Sequence, residues 1–156
     1  EQSYVDSIKA KWNNFKQNKI TELIEYIHED ISNFDRKLII SAAVKPNLIE
    51  AQNRWHQNWK IWLERGLVDF VVPMNYSKEI INFMTNIKIM KNNINENLFN
   101  KIIMGISVYN QNSEDVIDKI FLSRLNDFNG ISIFSYNTYK NNPDEFDIIL
   151  NSIKEP

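Results

Sequence analysis

The 156-residue sequence contains no cysteine, and this absence excludes disulfide bonds, thiolate metal sites and a cysteine nucleophile. It has only 3 glycines, none in a glycine-rich phosphate loop after an apolar run, so it lacks a dinucleotide-binding fingerprint. No segment approaches the roughly 20 consecutive apolar residues of a transmembrane helix. The net charge is only -2 and lysines alternate with acids, so the basic patch that attracts nucleic acid or an anionic membrane is missing.

What the sequence does contain is typical of a globular domain with a hydrophobic core. Hydrophobic residues make up 43% of the chain and charged residues 24%, and the length suits one domain rather than two. The two histidines, His28 and His56, have no acidic or cysteine partner at metal-ligand spacing. The sequence therefore predicts neither a metal site nor a cofactor.

Four apolar runs rich in β-branched residues predict strands at 37–44, 67–77, 101–109 and 130–136. Helical spacing of apolar residues predicts two helices within 3–33, the second starting near Thr21, and further helices at 48–65, 78–94, 112–125 and from Pro143 onward. The strands begin about 30 residues apart, which is the length of a βαβ unit, so a parallel sheet is expected. A doubly wound open sheet and part of a (β/α)8 barrel both fit this order.

Between these two α/β folds we favour the barrel. A complete (β/α)8 TIM barrel takes about 250 residues and eight strands, whereas this chain supplies about four strands that alternate with helices. Residues 1–156 are therefore expected to form a single partial domain, half of a barrel. Because the sequence begins at Glu1 rather than at methionine, we interpret it as a processed or excised piece.

Five segments resemble the C-terminal half of the barrels of bacterial glycosyl hydrolase-like family 10. They are KITELIEYIHEDI, KLIISAAVKP, NRWHQNWKIWLERGLVDFVVPMNYS, IIMGISVYNQ and GISIFSYNTY, and they extend across nearly the whole chain. The most specific similarities are Gln57-Asn58-Trp59, Trp62-Leu63, Gly66-Leu67-Val68-Asp69 and Pro73-Met74-Asn75-Tyr76.

This resemblance implies that the four strands are strands five to eight of a glycosidase barrel whose N-terminal half is absent from the chain. It implies a glycoside hydrolase acting on a bacterial polysaccharide, with cell-envelope glycan as the expected class, in a protein that is exported or associated with the cell envelope. The family's Asp-Tyr-x-Arg-Tyr-Pro segment and the catalytic carboxylates would lie upstream of Glu1. This half would then supply substrate contacts and be inactive alone. The alternative is a non-catalytic barrel that binds carbohydrate or acts as a scaffold, or an unrelated chemistry on the same fold.

The C-terminal ends of the strands carry the chemistry in a (β/α)8 barrel, and this rule selects the candidate substrate-binding residues. They are Met74, Asn75, Tyr76, Tyr109, Asn110 and Tyr136. Met74 and Tyr76 are two residues apart and should face the same side, with Asn75 opposite. We expect the three tyrosines to converge on one mouth, because aromatic faces and hydroxyls orient a polyol in a mostly apolar pocket.

Other conspicuous residues fit structural roles better. Asp69 lies at the start of its predicted strand, away from the mouth, so we expect it to be structural rather than catalytic. Trp55, Trp59 and Trp62 have the spacing of one helix face, which favours packing against the barrel wall over a sugar platform.

The charged residues that follow strand ends give no catalytic pair. Lys45 follows the first strand, where an anionic substituent is one possible contact, but a lysine in a loop is usually just solvated. The acids fall in helices or their first turns, where the helix dipole explains them: Glu50, Glu79, Glu114 and Asp115. Since glycoside hydrolysis generally needs two carboxylates, the catalytic residues are unknown from this chain.

Overall fold

The computed structural model describes residues 2–34 and 37–154, which form an α/β fold. The helices are α1 (Gln2–Ser32), α2 (Leu48–Arg54), α3 (Trp59–Glu64), α4 (Ile80–Asn93), α5 (Ser113–Leu125), α6 (Tyr136–Asn141) and α7 (Pro143–Lys154). The strands are β1 (Ser41–Val44), β2 (Phe70–Pro73), β3 (Ile103–Ser107) and β4 (Gly130–Phe134), and a 3-10 helix covers Glu96–Lys101. Each strand lies inside a segment that the sequence predicts as a strand, although it is shorter than predicted.

Successive strands are parallel neighbours. β1 pairs with β2 and β3 pairs with β4, and two parallel bridges, Val71 to Ile102 and Met74 to Gly105, join β2 to β3. The order of the strands in space therefore follows their order in the chain. The predicted α/β alternation with parallel pairing of successive strands is confirmed.

Gly105 lies where β3 comes closest to β2. A Cβ atom at this position would lie 2.8 Å from the carbonyl oxygen of Pro73 and 3.3 Å from the Cα of Met74. Both are backbone atoms, so a larger residue would force the two strands apart. Glycine in a strand often marks such a close approach, and here it keeps the end of β2, which carries Met74 and Tyr76, against β3.

One face of the strands is buried against the helices, and we call it the covered face. Val44, Val71, Met104 and Ile106 project from it and have no solvent exposure. The helices contribute many of the large buried side chains, among them Leu48, Trp59, Trp62, Leu63, Phe83, Ile87, Met90, Val116, Ile120 and Ile149. Removal of this apolar surface from water is the main term that stabilises the fold.

The opposite face of the strands, which we call the open face, is more accessible to solvent. On the outer strands, Ser41 and Ala43 of β1 and Ser132 and Phe134 of β4 are exposed. Val72, which lies in register with Ala43, is half-buried. On the outer strands the open face therefore carries small or polar side chains and, at the C-terminal end of β4, an aromatic ring, while Phe70 and Ile103 of the inner strands are half-buried on it.

Helix α1 is continuous, so the prediction of two helices in this region is wrong. Residues 2–32 include neither glycine nor proline, and nothing in the backbone ends a helix near Thr21. Thr21 instead lies within the helix, where it is buried and its Oγ1 accepts a hydrogen bond of 3.0 Å from Nε1 of Trp62. This bond attaches the middle of α1 to α3.

The single helix predicted for 48–65 is interrupted in the structure. α2 ends at Arg54 and α3 begins at Trp59, and His56 between them has a φ of 56°, which residues other than glycine rarely adopt. Residues 55–58 contain neither glycine nor proline. The break is made by tertiary contacts, and it redirects Trp55.

Candidate functional site

Three aromatic rings meet at the C-terminal ends of β2, β3 and β4, and we call Tyr76, Tyr109 and Phe134 the aromatic cluster. Tyr76 stacks on Phe134 with ring centroids 5.5 Å apart and 11° between the ring planes. Tyr109 meets Tyr76 and Phe134 edge-on, at 6.4 and 6.1 Å. Tyr109 and Phe134 are each about half exposed, at 54% and 51%. The cluster therefore presents ordered aromatic surface to solvent, in geometries that aromatic pairs prefer.

Tyr76 is the least exposed ring of the cluster. Burial raises the pKa of its phenol above the ordinary value, and the neighbouring Tyr109 adds to the rise. The phenol therefore stays neutral at physiological pH and can both donate and accept a hydrogen bond. A neutral hydroxyl beside an aromatic face is suited to a sugar hydroxyl, which also has both capacities.

The third ring of the cluster is Phe134, whereas the sequence suggested Tyr136. The peptide between Phe134 and Ser135 is cis, and the chain then turns at once into α6, of which Tyr136 is the first residue. Tyr136 lines a different hollow, together with Ile133, Ser135, Phe146 and Leu150. The alternation of sides along β4 does not reach Tyr136, because the strand has already ended. A substrate-binding role for Tyr136 stays a prediction.

Met74 and Tyr76 line the same hollow and Asn75 is fully buried on the other side, as their spacing predicts. The side-chain amide of Asn75 donates to the carbonyl oxygen of Phe83 at 3.1 Å and accepts from Nδ2 of Asn86 at 2.9 Å. Asn75 thus ties the end of β2 to α4. In this structure it positions its two neighbours and is not itself presented to the hollow.

Asn110 joins the loops that follow β2 and β3. Its Oδ1 accepts a hydrogen bond of 2.7 Å from Oγ of Ser107, and its Nδ2 donates to the carbonyl oxygen of Tyr76 at 3.2 Å. The bond to Tyr76 fixes the backbone beneath one cluster ring, and Tyr109 precedes Asn110 in the chain. Direct contact of Asn110 with substrate stays a prediction, beside this positioning role.

Lys119 of α5 is a fully buried cation beneath these loops, and sequence reasoning did not identify it. Its Nζ donates to the carbonyl oxygen of Lys78 at 2.6 Å and to Oε1 of Gln111, whose own amide donates to the carbonyl oxygen of Ser107. Burial lowers the pKa of Lys119, while nearby carboxylates act in the opposite direction. One buried donor therefore connects the loop after β2, at Lys78, with the loop after β3, at Gln111.

A hollow opens between the C-terminal ends of β1 and β2, and we call it the β1–β2 hollow. Its lining comprises Lys45, Pro46, Asn47, Glu50, Arg54, Trp55, Met74, Tyr76, Ser77 and Asn86. Tyr76 belongs both to this lining and to the aromatic cluster. The two features therefore form one continuous candidate site across the ends of the strands.

The three tryptophans of the predicted helix face have different positions. Trp59 and Trp62 are 0% and 3% exposed, so the prediction of packing is confirmed for them. It is wrong for Trp55, which is 42% exposed and lines the β1–β2 hollow. Because α2 ends at Arg54, the helical spacing that would place Trp55 with the other two does not hold.

Asp69 lies at the opposite ends of the strands, so its predicted structural position is confirmed. Its Oδ2 accepts a hydrogen bond of 2.7 Å from the backbone N–H of Ile40, and its own N–H donates to the carbonyl oxygen of Ile40 at 2.8 Å. These reciprocal bonds join the segments that lead into β1 and β2. Asp69 thus stabilises the start of the strand pair.

Carboxylates are few at the candidate site. Glu50 lines the β1–β2 hollow, but its Oε1 is paired with the guanidinium of Arg54 at 3.0 Å. Across residues 2–34 and 37–154, no group of three or more histidine or acidic side chains is placed to hold a metal ion. Within the same described ranges, none of the helices has the length and apolar character needed to cross a membrane.

No model of a known protein family matches this sequence, and no curated protein matches it. The resemblance to glycosyl hydrolase-like family 10, and the activity that it implies, stay predictions.

Proposed function

We propose that this chain is the C-terminal half of the (β/α)8 barrel of a glycoside hydrolase, corresponding to strands five to eight. In this proposal it supplies sugar contacts to a bacterial polysaccharide, with cell-envelope glycan as the class that the sequence resemblance suggests. The protein would be exported or associated with the cell envelope. The N-terminal half of the barrel is its structural partner, and no cofactor is required.

The arrangement of the strands supports half a barrel over a doubly wound sheet. Successive strands are neighbours throughout the order β1-β2-β3-β4, whereas a doubly wound sheet reverses its strand order at a switch point. Helices bury one face of the strands, and the open face stays accessible. In a closed barrel this second face points inward and is filled by side chains from all the strands.

The single observation that carries the sugar-binding proposal is the aromatic cluster at the C-terminal strand ends. Two phenols and a phenyl ring meet there, and hydrogen bonds from Asn110 and Lys119 hold the loops that bear the two phenols. Aromatic faces match the apolar C–H faces of sugar rings, and phenol hydroxyls match sugar hydroxyls. The location agrees with the general rule that barrel enzymes place their sites at this end.

The acids of the reaction would come from outside this chain. Hydrolysis of a glycosidic bond generally uses two carboxyl groups about 5 to 9.5 Å apart. Among the described residues, Glu50 is the only carboxylate that lines the β1–β2 hollow, and it is already paired with Arg54. We therefore expect the chain alone to bind saccharide without cleaving it.

The same observation keeps a second candidate function open, a non-catalytic barrel that binds carbohydrate or serves as a scaffold. A binding protein needs the aromatic cluster but not the carboxylate pair. A form of the protein that includes the upstream half distinguishes the two functions. Release of new reducing ends from the polysaccharide supports the hydrolase, and binding without release supports the binding protein.

The test of sugar binding is a calorimetric titration of oligosaccharides from bacterial envelope glycan into the chain. Replacing Tyr76 or Tyr109 with alanine should weaken binding by about 5- to 150-fold, the scale of a lost buried contact and hydrogen bond. The matched control is Tyr26→Ala on α1, which removes an equally large ring that is 69% exposed elsewhere on the surface. Unchanged affinity in both cluster variants, with folding intact, would overturn the proposal.

A further inference from the structure

The loop between α2 and α3 is held in a specific, locally unfavourable conformation. His56 has a φ of 56°, and its buried Nδ1 has no hydrogen-bond partner among the described residues. A non-glycine residue in this conformation persists only when its surroundings determine it, and such residues cluster at functional sites. The helix would continue through this segment if local preference alone decided.

Side-chain amides supply the determining contacts. Asn58 accepts at Oδ1 from Nε2 of Gln52 at 3.1 Å and donates from Nδ2 to Oε1 of Gln17 on α1 at 3.2 Å. Gln17 in turn donates to the carbonyl oxygen of Gln52 at 3.1 Å. This closed set of hydrogen bonds anchors the break to α1. Its consequence is that Trp55 leaves the helix face and enters the β1–β2 hollow.

The same loop fixes the backbone of Lys45. The N–H of Lys45 donates to Oε1 of Gln57 at 2.9 Å, and its carbonyl oxygen accepts from Nε1 of the buried Trp59 at 3.1 Å. Its side chain extends over Trp55, with Nζ 4.4 Å from the centroid of the ring system. Lys45 and Trp55 are therefore placed as a pair by one set of contacts.

Charge in the hollow is unbalanced at this pair. Arg54 also lies 5.2 Å from the Trp55 ring centroid, but its guanidinium is paired with Glu50. Across the part of the chain that the structure describes, no carboxylate lies within salt-bridge distance of the Lys45 ammonium. One positive charge is thus left for a ligand, beside Trp55, a residue that is 42% exposed.

We propose that the β1–β2 hollow binds the anionic substituent of an acidic saccharide, with Lys45 contacting the anion and Trp55 the apolar surface of the sugar ring. This inference rests on the proposed function and specifies its ligand. Met74 and Tyr76 belong to the same lining. The substituent is a carboxylate or a phosphate, since either accepts charge-assisted hydrogen bonds from an ammonium group.

The experiment follows the tryptophan indole N–H signals by NMR while four compounds are titrated into the chain. D-Glucuronate, D-glucose 6-phosphate and D-glucose share one ring and differ at one carbon, and acetate supplies charge without a ring. The two charged sugars, or one of them, should shift the Trp55 signal with an affinity about tenfold or more above that of D-glucose. Their ranking identifies the substituent as carboxylate or phosphate.

Variants assign the effect to the pair. Lys45→Met keeps the backbone contacts and should reduce the affinity for the charged sugar to that for D-glucose, and Trp55→Leu should also weaken it. The matched control is Lys37→Met, which removes the same charge from the segment that leads into β1, where Lys37 and Asp69 line a different hollow. Preserved indole signals of Trp59 and Trp62, which donate to Lys45 and Thr21, show that each variant is folded.

Three outcomes overturn the inference. They are equal affinity for D-glucose and the charged sugars, a Trp55 shift with acetate as large as with the charged sugars, and no Trp55 shift with any of them. The first leaves the proposed function in place if Tyr76→Ala and Tyr109→Ala weaken binding of neutral oligosaccharide. Failure of the proposed function itself is recognised separately: neutral oligosaccharide would then bind to Tyr76→Ala and Tyr109→Ala as tightly as to the wild type.

Discussion

The two faces of the parallel strands are built from different side chains. Val71 and Met104 on the covered face are completely buried, and large apolar side chains of α3 and α4 pack there. On the open face, Ala43 and Ser132 are exposed and Val72 is half-buried. Both faces belong to the same short strands, so the backbone and its pairing do not explain the difference.

The difference teaches where the fold obtains its stability and where it has room for a partner. The covered face is a well-packed core, whereas the open face has exposed small side chains on its outer strands and an aromatic ring, Phe134, that is about half exposed. Small side chains such as those of Ala43 and Ser132 leave space on this face for side chains of a partner. The stability of this chain should therefore depend mainly on one face.

The sharpest test of this comparison replaces one valine on each face of β2 with alanine. Val71→Ala should lower the free energy of unfolding by about 2 to 3 kcal/mol, because a fully buried side chain loses two methyl groups and leaves a cavity. Val72→Ala, the adjacent and chemically identical change on the open face, should cost about 1 kcal/mol or less. Urea unfolding of the two variants decides it. Equal losses would show that the open face is packed as tightly as the covered one.

A second test concerns the buried cation behind the loops. Lys119→Ala should lower the free energy of unfolding by about 2 kcal/mol, because it leaves the carbonyl oxygen of Lys78 and Oε1 of Gln111 without their donor. Lys88→Ala, at an exposed position of α4, is the control and should change stability by about 0.5 kcal/mol or less. If the two variants unfold at the same urea concentration, Lys119 has no role in holding these loops.

A smaller effect is expected at the N-terminal ends of the strands. Asp69→Asn replaces a carboxylate acceptor for the N–H of Ile40 with a neutral amide, so the melting temperature should fall by about 2 °C. Asp30→Asn, an exposed position on α1, provides the same chemical change without that bond. Thermal unfolding followed by circular dichroism compares them. Saccharide affinity that falls in Asp69→Asn at unchanged stability would instead assign Asp69 to the site.

The smallest effect is a change in titration at the aromatic cluster. Burial and the adjacent Tyr109 raise the pKa of Tyr76 above its ordinary value of 10.0. The neutral phenol therefore contributes stability that is complete below pH 10.0 and is lost as pH rises through the raised pKa. Ultraviolet titration of tyrosinate should show a late step in the wild type that Tyr76→Phe lacks. If the late step persists in Tyr76→Phe, and the variant loses only the amplitude of a tyrosine that titrates with the others, this environment for Tyr76 is wrong.

The pattern of strands could be predicted from the sequence because it depends on local composition. Each β-branched apolar run contains its strand, and helices α4, α5 and α7 follow apolar periodicity or proline placement in the segments expected of them. Asp69 and the opposite sides of Met74 and Asn75 follow from position along a strand. These features need no knowledge of distant residues.

The rest could not be predicted, because contacts between distant residues decide it. The break that exposes Trp55 is determined by Gln17 and Asn58, which are far apart in sequence, and no glycine or proline marks it. The third cluster ring is Phe134 rather than Tyr136 because β4 ends at Phe134. The alternation of side chains between the two faces of a strand does not show where the strand ends. Lys119 resembles any other helical lysine until packing buries it.

The pairing of each strand only with its sequence neighbours has a consequence for folding kinetics. Paired residues in β1 and β2, β2 and β3, and β3 and β4 are each separated by about 30 residues along the chain. Loop-closure entropy depends only weakly on loop length, so forming each of the three strand pairings has nearly the same entropic cost. No pairing among these strands requires contact between the two ends of the chain. We expect a moderate contact order and folding in milliseconds rather than seconds, and stopped-flow refolding slower than about 1 s at 25 °C would contradict this expectation.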